Sequence, residues 1–172
     1  LRAILRASAY GNYQIMFPMV GSLEDIRAAK EAVYAAMREL DDKGVAYDKN
    51  IKLGIMIEIP SIALIADRAA KECDFASVGT NDLCQYLFAA DRLNPQVESC
   101  YQSLSPAMFY ALRLIFDAFH AAGKPVSVCG ELAGDASAAP ILAGLGLRKF
   151  SMNASAVPGV KRALSKVTRA EA

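Results

Sequence analysis

The residues best equipped for chemistry stand where short apolar runs stop. KLGIMIEI (52–59) ends with Glu58 just before Pro60, DFASVG (74–79) runs into Thr80-Asn81-Asp82, and PVSVC (125–129) ends at Cys129 before Gly130-Glu131. Alternation along 52–59 puts Gly54, Met56 and Glu58 on one face of a strand and Leu53, Ile55 and Ile57 on the other. Glu58 is therefore the polar end of an otherwise apolar strand. An ionised carboxylate in that place needs a cation or hydrogen bonds. Glu58 and Asp82 come from neighbouring runs and can converge. Two carboxylates plus substrate oxygens suit Mg²⁺, which keeps few protein ligands and often shares a phosphate. The same residues also fit a plainer arrangement, with Glu58 paired to a lysine or arginine and Asp82 capping the helix after its strand.

Arg92, in DRLN (91–94), has the planar fork that binds a phosphate or carboxylate, but a lone arginine is also commonly a solvated surface residue. Cys129 reads as a reactive thiol or acid, or as a small buried hydrophobe. Cys73, Cys84 and Cys100 carry only the second reading. His120 falls late in a helical stretch, as a residue answering the helix dipole or facing solvent. GELAGD (130–135) has the look of a phosphate-binding glycine turn, but two glycines alone do not single one out.

These groups need elements to hold them. LRAILRASAY (1–10) carries Leu1, Ile4 and Leu5 on one helical face, and Gly11-Asn12 breaks it. YQIMFPM (13–19) reads as a buried strand ending at Pro18. Ser22 with Asp25 forms a capping box for a helix whose apolar positions are Ile26, Ala29, Val33, Met37 and Leu40. The strand over 52–59 is followed by a helix through Leu64, Ile65 and Ala69. Residues 74–79 make the third strand, 81–90 a short helix, and 91–104 a polar loop. Ser105-Pro106 opens a helix buried through Met108, Leu112, Ile115 and Phe119. A fourth strand (125–129), a helix (135–144), a fifth strand KFSM (149–152) and a helix over 158–167 complete the chain.

A helix followed by five strand–helix units predicts an α/β protein with a parallel sheet. The five units fit either an open doubly wound sheet or part of a (β/α)₈ barrel, which normally needs about 250 residues. The leading helix favours the barrel, because its own strand would lie outside this sequence. The start at Leu1, inside a helical pattern, likewise reads as a piece of a longer polypeptide. The expectation is a single domain over 1–172, the C-terminal portion of a TIM-type barrel.

Composition narrows the function classes. The 172 residues carry 19 basic and 18 acidic side chains, for a net charge of +1, and 54% are hydrophobic. That excludes a disordered chain and gives no basic footprint for nucleic acid or an anionic membrane. No apolar run reaches the roughly 18 residues of a membrane-spanning helix. Four cysteines without CxxC spacing read as reduced thiols of a cytoplasmic protein. One histidine excludes a multi-histidine zinc site.

The segments IMIEIP (55–60), SVGTNDLCQY (77–86), AADRLN (89–94), SLSPA (103–107) and VCGELAGD (128–135) occur together and in this order. With LRAILRAS, IMFPM and KFSMNASAVP (149–158), they closely resemble the C-terminal phosphoenolpyruvate-binding barrel of the enzyme I family of the bacterial sugar phosphotransferase system. The similarity covers essentially the whole chain. Pyruvate phosphate dikinase and phosphoenolpyruvate synthase resemble the TNDL segment, but the CGELAGD and DRLN forms look more like enzyme I. The resemblance implies Mg²⁺ held by Glu58 and Asp82. It also implies phosphoenolpyruvate contacted by Asn81, Asp82 and Arg92, and Cys129 as the acid that protonates C3 of the enolate to give pyruvate. It further implies a cytoplasmic homodimer whose partner is a histidine-containing phosphocarrier protein, reached through a phosphohistidine domain absent from this chain. The isolated chain is then expected to be inactive. Cys84 stands where the family usually has threonine and Leu93 where it usually has glycine, and neither is expected to touch substrate. Two other readings remain at this point. One is a phosphoenolpyruvate- or pyruvate-handling lyase on the same barrel, and the other a non-catalytic, self-associating fragment.

Overall fold

A computed structural model describes residues 1–168. Helix α1 (Arg2–Ser8) leads into β1 (Gln14–Phe17). At the start of α2 (Leu23–Asp42), the Ser22 hydroxyl accepts the Asp25 N–H at 3.1 Å. In return the Asp25 carboxylate accepts the N–H groups of Gly21 and Ser22 at 3.0 and 2.9 Å. These bonds hold the Asp25 carboxyl below its usual range, the one from Gly21 most. Helix α2 then buries Ile26, Val33 and Leu40, as its spacing predicts, together with Ala36, while Ala29 and Met37 are only partly buried.

Strand β2 (Lys52–Ile57) follows, then α3 (Pro60–Leu64) and α4 (Ala66–Glu72). The sequence predicts one helix here. The backbone of Ile65, at φ −118° and ψ 31°, leaves the helical region and splits it into two. Both halves still bury their apolar side, through Ile62 and Ala63 in α3 and Ala66, Ala69 and Ala70 in α4. Strand β3 (Phe75–Gly79) passes directly into α5 (Thr80–Leu87). The loop after it contains a 3-10 turn, Pro95–Cys100, before α6 (Pro106–Ala121) and β4 (Val126–Cys129). Helices α7 (Ala138–Gly144) and α8 (Val157–Leu164) follow. Helix α7 begins three residues later than predicted. A 3-10 turn occupies Glu131–Gly134, and Asp135 accepts the Ser137 N–H at 2.7 Å ahead of the helix.

The four strands pair in parallel in the order β1-β2-β3-β4. The predicted fifth strand, KFSM (149–152), is not a strand. Only Phe150 bridges to Val128. Val128 donates to the Lys149 carbonyl at 3.1 Å and accepts from Ser151 N–H at 2.8 Å. The ladder stops there because the chain turns at once through Asn153 into the 3-10 turn Ala154–Ala156. The α/β reading with a parallel sheet holds, with the fifth unit reduced to one bridge.

The main core lies between the sheet and its helices. It centres on Ile55, Ile57, Val78, Leu112, Phe116 and Phe119, all fully buried. A second cluster, with Leu5, Ile15, Val33, Leu40 and Leu53, fixes α1 and α2 to β1 and β2. The other face of β2 carries Gly54, Met56 and Glu58. A Cβ at Gly54 would lie 2.5 Å from the Phe75 ring, so glycine there lets that ring lie against β2. The register pairs Ile57 with Val78 and Gly79 with Cys129. One step beyond Ile57, Glu58 is level with Gly79, and thus Glu58, Gly79 and Cys129 form one row across three strand ends.

Candidate active site

Glu58 is only 6% exposed. Its Oε1 accepts the Met19 N–H at 2.7 Å. Met19 follows Pro18 at the end of β1 and adopts φ 55°, in the left-handed region that side chains rarely enter. Among the described residues Glu58 forms no salt bridge, so the expected alternative of a lysine or arginine partner is not what holds it. A backbone amide supplies only a partial charge, and the carboxylate keeps acceptor capacity for a cation. Its other oxygen, Oε2, borders Gly79, where an added Cβ would come within 2.7 Å of it and 3.3 Å of Met56 Sδ. Glycine at 79 therefore keeps the space between Glu58 and the β3 backbone open.

Asp82 sits in the first turn of α5, where a negative charge meets the positive end of the helix dipole. No side-chain hydrogen bond caps the start of α5, so Asp82 supports it through charge alone. Its Oδ1 lies 4.0 Å from Arg92 Nη2, and both side chains are 36% exposed. At that distance and exposure the pair is loose and open to an anionic ligand.

Asn81 is fixed at both ends. Its Oδ1 accepts the Glu131 N–H at 3.0 Å, and its carbonyl accepts the Tyr101 hydroxyl at 3.3 Å. The NH₂ group is then the end of the side chain available to a ligand. The fully buried Thr80 hydroxyl donates to the Cys129 carbonyl at 2.7 Å, tying β3 to β4. Gly130, at φ 93°, turns the chain so that Glu131 can reach Asn81.

Cys129 is half-buried. Its Sγ lies 3.4 Å from the Val78 carbonyl and 3.7 Å from Met56 Sδ, a backbone acceptor and a weak thioether acceptor for the weakly donating thiol. Cys129 and Asn81 line an open cleft of about 450 Å³ together with Gly130, Glu131, Ser151, Met152 and Asn153. Glu58, Asp82 and Arg92 are not among the residues that line this cleft. His120 packs instead near Gly146, at the end of α6.

Sequence reasoning missed Met19, because its contribution is a backbone N–H. It also missed Glu131, Tyr101 and Thr80 as supports. An aromatic residue in an otherwise polar loop was the available signal for Tyr101.

The other thiols differ sharply. Burial pushes the Cys73 thiol up to about 11, and burial also raises Cys84. Cys100 is exposed. At pH 8 a thiol-disulfide reagent should label Cys100 and Cys129 and leave Cys73 and Cys84 untouched until the chain unfolds. The Cys73 shift also implies lower stability in alkali. The unfolded thiol ionises near pH 9 and the folded one near pH 11, so stability is lost as pH rises through that window. Peptide mapping of the labelled thiols and melting at pH 8 and pH 10.5 check both results. Labelling of Cys73 in the folded chain would contradict them.

All these groups gather at the carboxyl ends of parallel strands, where α/β enzymes hold their substrates. The chain belongs to the PEP-utilising enzymes, matching their PEP-binding domain over residues 1–169. It is similar to the phosphoenolpyruvate-protein phosphotransferase of Bacillus subtilis, 48% identical over 172 residues, which is 100% of this chain and 30% of that protein. The enzyme of the same name from Enterococcus faecalis is 50% identical over 157 residues, covering 91% of this chain and 27% of that protein. The chain thus spans less than a third of the length of these curated relatives. Among solved structures, a citrate lyase from Burkholderia xenovorans matches with a TM-score of 0.63 at 21% identity, over 94% of this chain and 52% of that one. A HpcH/Hpal aldolase/citrate lyase family protein from Burkholderia cenocepacia matches with a TM-score of 0.56 at 19% identity, over 96% and 69%. Such identities establish the fold alone: a partial (β/α)₈-type barrel.

Proposed function

We propose that residues 1–172 form the phosphoenolpyruvate- and Mg²⁺-binding part of a phosphoenolpyruvate–protein phosphotransferase, as one incomplete barrel domain. The whole enzyme would pass the phosphoryl group of phosphoenolpyruvate to a histidine outside this chain, and on to a histidine-containing phosphocarrier for sugar uptake. In this reading it works in the cytoplasm as a homodimer. No described helix is long and apolar enough to cross a membrane. The observation that carries the reading is the row of Glu58, Gly79 and Cys129: a buried carboxylate held by an amide, a gap, and a thiol, all on strand ends.

The donor set fits Mg²⁺. Two oxygen ligands suffice for an ion that usually keeps waters and substrate oxygens, and no group of three metal-binding side chains occurs among the described residues. Glu58 and Asp82 would hold the ion, which when bound supplies positive charge next to the phosphoryl group and the enolate. The Arg92 guanidinium and the Asn81 NH₂ group would bind the phosphate. As the P–O bond breaks, its electrons return to the enol oxygen and the phosphoryl group leaves for the histidine. The Cys129 S–H bond then breaks, its proton forms the new C–H bond at C3 to complete pyruvate, and the thiolate regains a proton from solvent.

A hybrid in which this chain replaces the matching segment of the Bacillus subtilis enzyme tests the reading. It is expected to release pyruvate from phosphoenolpyruvate in the presence of Mg²⁺ and the phosphocarrier. Cys129→Ala should lower that rate roughly a hundred- to ten-thousandfold. A folded but inactive hybrid contradicts the proposed function, and indifference to Cys129→Ala contradicts the role of the thiol.

A further inference from the structure

The segment between α5 and α6 carries Arg92 and is mostly exposed, and besides main-chain bonds such as that from the Ala90 N–H to the Gln85 carbonyl at 3.0 Å it is tied to α5 by two side-chain hydrogen bonds. At one end the Arg92 N–H donates to Gln85 Oε1 at 3.2 Å. At the other the Tyr101 hydroxyl donates to the Asn81 carbonyl at 3.3 Å. The Tyr101 side chain also packs against the main core, which includes the fully buried Cys84. Between these ties the Asp91 carboxylate accepts the Leu93 N–H at 2.9 Å and the Asn94 side chain accepts the Gln96 N–H at 3.0 Å, so the segment is internally braced. Burial pushes the Tyr101 phenol up to about 12, which keeps it a proton donor throughout the working range.

We propose that Tyr101 and Gln85 are positioning residues that latch both arms of segment 88–104 to α5 and so hold the Arg92 guanidinium beside Asp82. Neither lines the cleft, and each bonds only the main chain of a residue assigned to the phosphate, Tyr101 that of Asn81 and Gln85 that of Arg92. Their effect passes through Arg92. The latch gives Arg92 a fixed approach that its loose 4.0 Å pairing with Asp82 cannot supply. Its consequence for substrate rests on the proposed phosphoenolpyruvate site, whereas the latch itself does not.

The test has two arms on the full chain. Tyr101→Phe keeps the ring and removes only the hydroxyl, and Gln85→Ala removes the other tie. In hydrogen exchange, amides in segment 88–104 should exchange roughly three- to tenfold faster in either variant, while those of α6 stay unchanged. Unchanged exchange of that segment overturns the latch, whatever the ligand result. In calorimetric titration with phosphoenolpyruvate and Mg²⁺, each variant should bind roughly three- to tenfold less tightly. In an Arg92→Ala background the same substitutions should have no further effect, because their contribution passes through the missing side chain. Full additivity with Arg92→Ala, or undiminished affinity, overturns the positioning role. Absence of binding by the unmodified chain counts against the phosphoenolpyruvate site, and the exchange arm still decides the latch.

Discussion

Glu58→Gln, placed in the hybrid enzyme, is expected to lower pyruvate formation by roughly a thousandfold, a loss typical of removing one electrostatic stabiliser from an active site. The substitution is close to isosteric and leaves Oε1 able to accept the Met19 N–H, so the fold should survive it. What it removes is the charge. A neutral amide cannot serve as an anionic ligand for a divalent ion, and an NH₂ group beside Gly79 would point a donor where an acceptor is required. The loss should appear in the rate at saturating phosphoenolpyruvate and should be only partly relieved by raising Mg²⁺. Steady-state pyruvate release, measured across a Mg²⁺ series, checks it. Wild-type turnover in Glu58→Gln would show that this carboxylate takes no part in the reaction.

Gly130→Ala is expected to destabilise the isolated chain by about 3 kcal/mol, combining left-handed backbone strain with overpacking. The backbone there has φ 93°, and the new Cβ would lie 2.5 Å from Thr80 Oγ1 and 2.8 Å from Asn81 Oδ1. Those atoms belong to two ties of the site, Thr80 to the Cys129 carbonyl and Asn81 to the Glu131 N–H. Relief of the clash must break one of them. Gly123→Ala is the matched control, because Gly123 has φ 65° but nothing within 4 Å of the added Cβ. It should cost about 1 kcal/mol, from backbone strain alone. Each kcal/mol corresponds to roughly 2–4 °C in Tm for a chain of this size. Thermal unfolding of both variants should therefore separate them by several degrees. Equal shifts would mean that Thr80 and Asn81 yield without cost and that the ties are not what fixes the cleft.

The strand ends were legible because parallel strands impose a pattern: apolar runs, a polar residue at the carboxyl end, then a helix. Glu58, Asn81-Asp82 and Cys129 all stand out in that way. The convergence of Glu58 and Cys129 followed from register, which the sequence does not display, and it depends on Gly79 carrying no side chain. The fifth strand was not legible. KFSM has the composition of a strand, but whether it pairs beyond Phe150 depends on how soon the chain turns at Asn153. The break at Ile65 was not legible either, because isoleucine is not a helix-breaking residue. The partner of Glu58 escaped notice for a different reason. Any residue at position 19 except proline has a backbone N–H to offer, so the identity of methionine carries no sign of the contact.

That Glu58 and Asp82 share one divalent ion is tested most directly by electron paramagnetic resonance with Mn²⁺, which accepts the same hard oxygen donors as Mg²⁺. The signal of free Mn²⁺ falls as the ion is bound. In the unmodified chain, phosphoenolpyruvate should deepen that fall. Glu58→Gln and Asp82→Asn should each abolish the phosphoenolpyruvate-dependent part, while Glu98→Gln, on the exposed 3-10 turn, should preserve it. Undiminished, phosphoenolpyruvate-dependent Mn²⁺ binding in either Glu58→Gln or Asp82→Asn would contradict a shared metal site at these two strand ends.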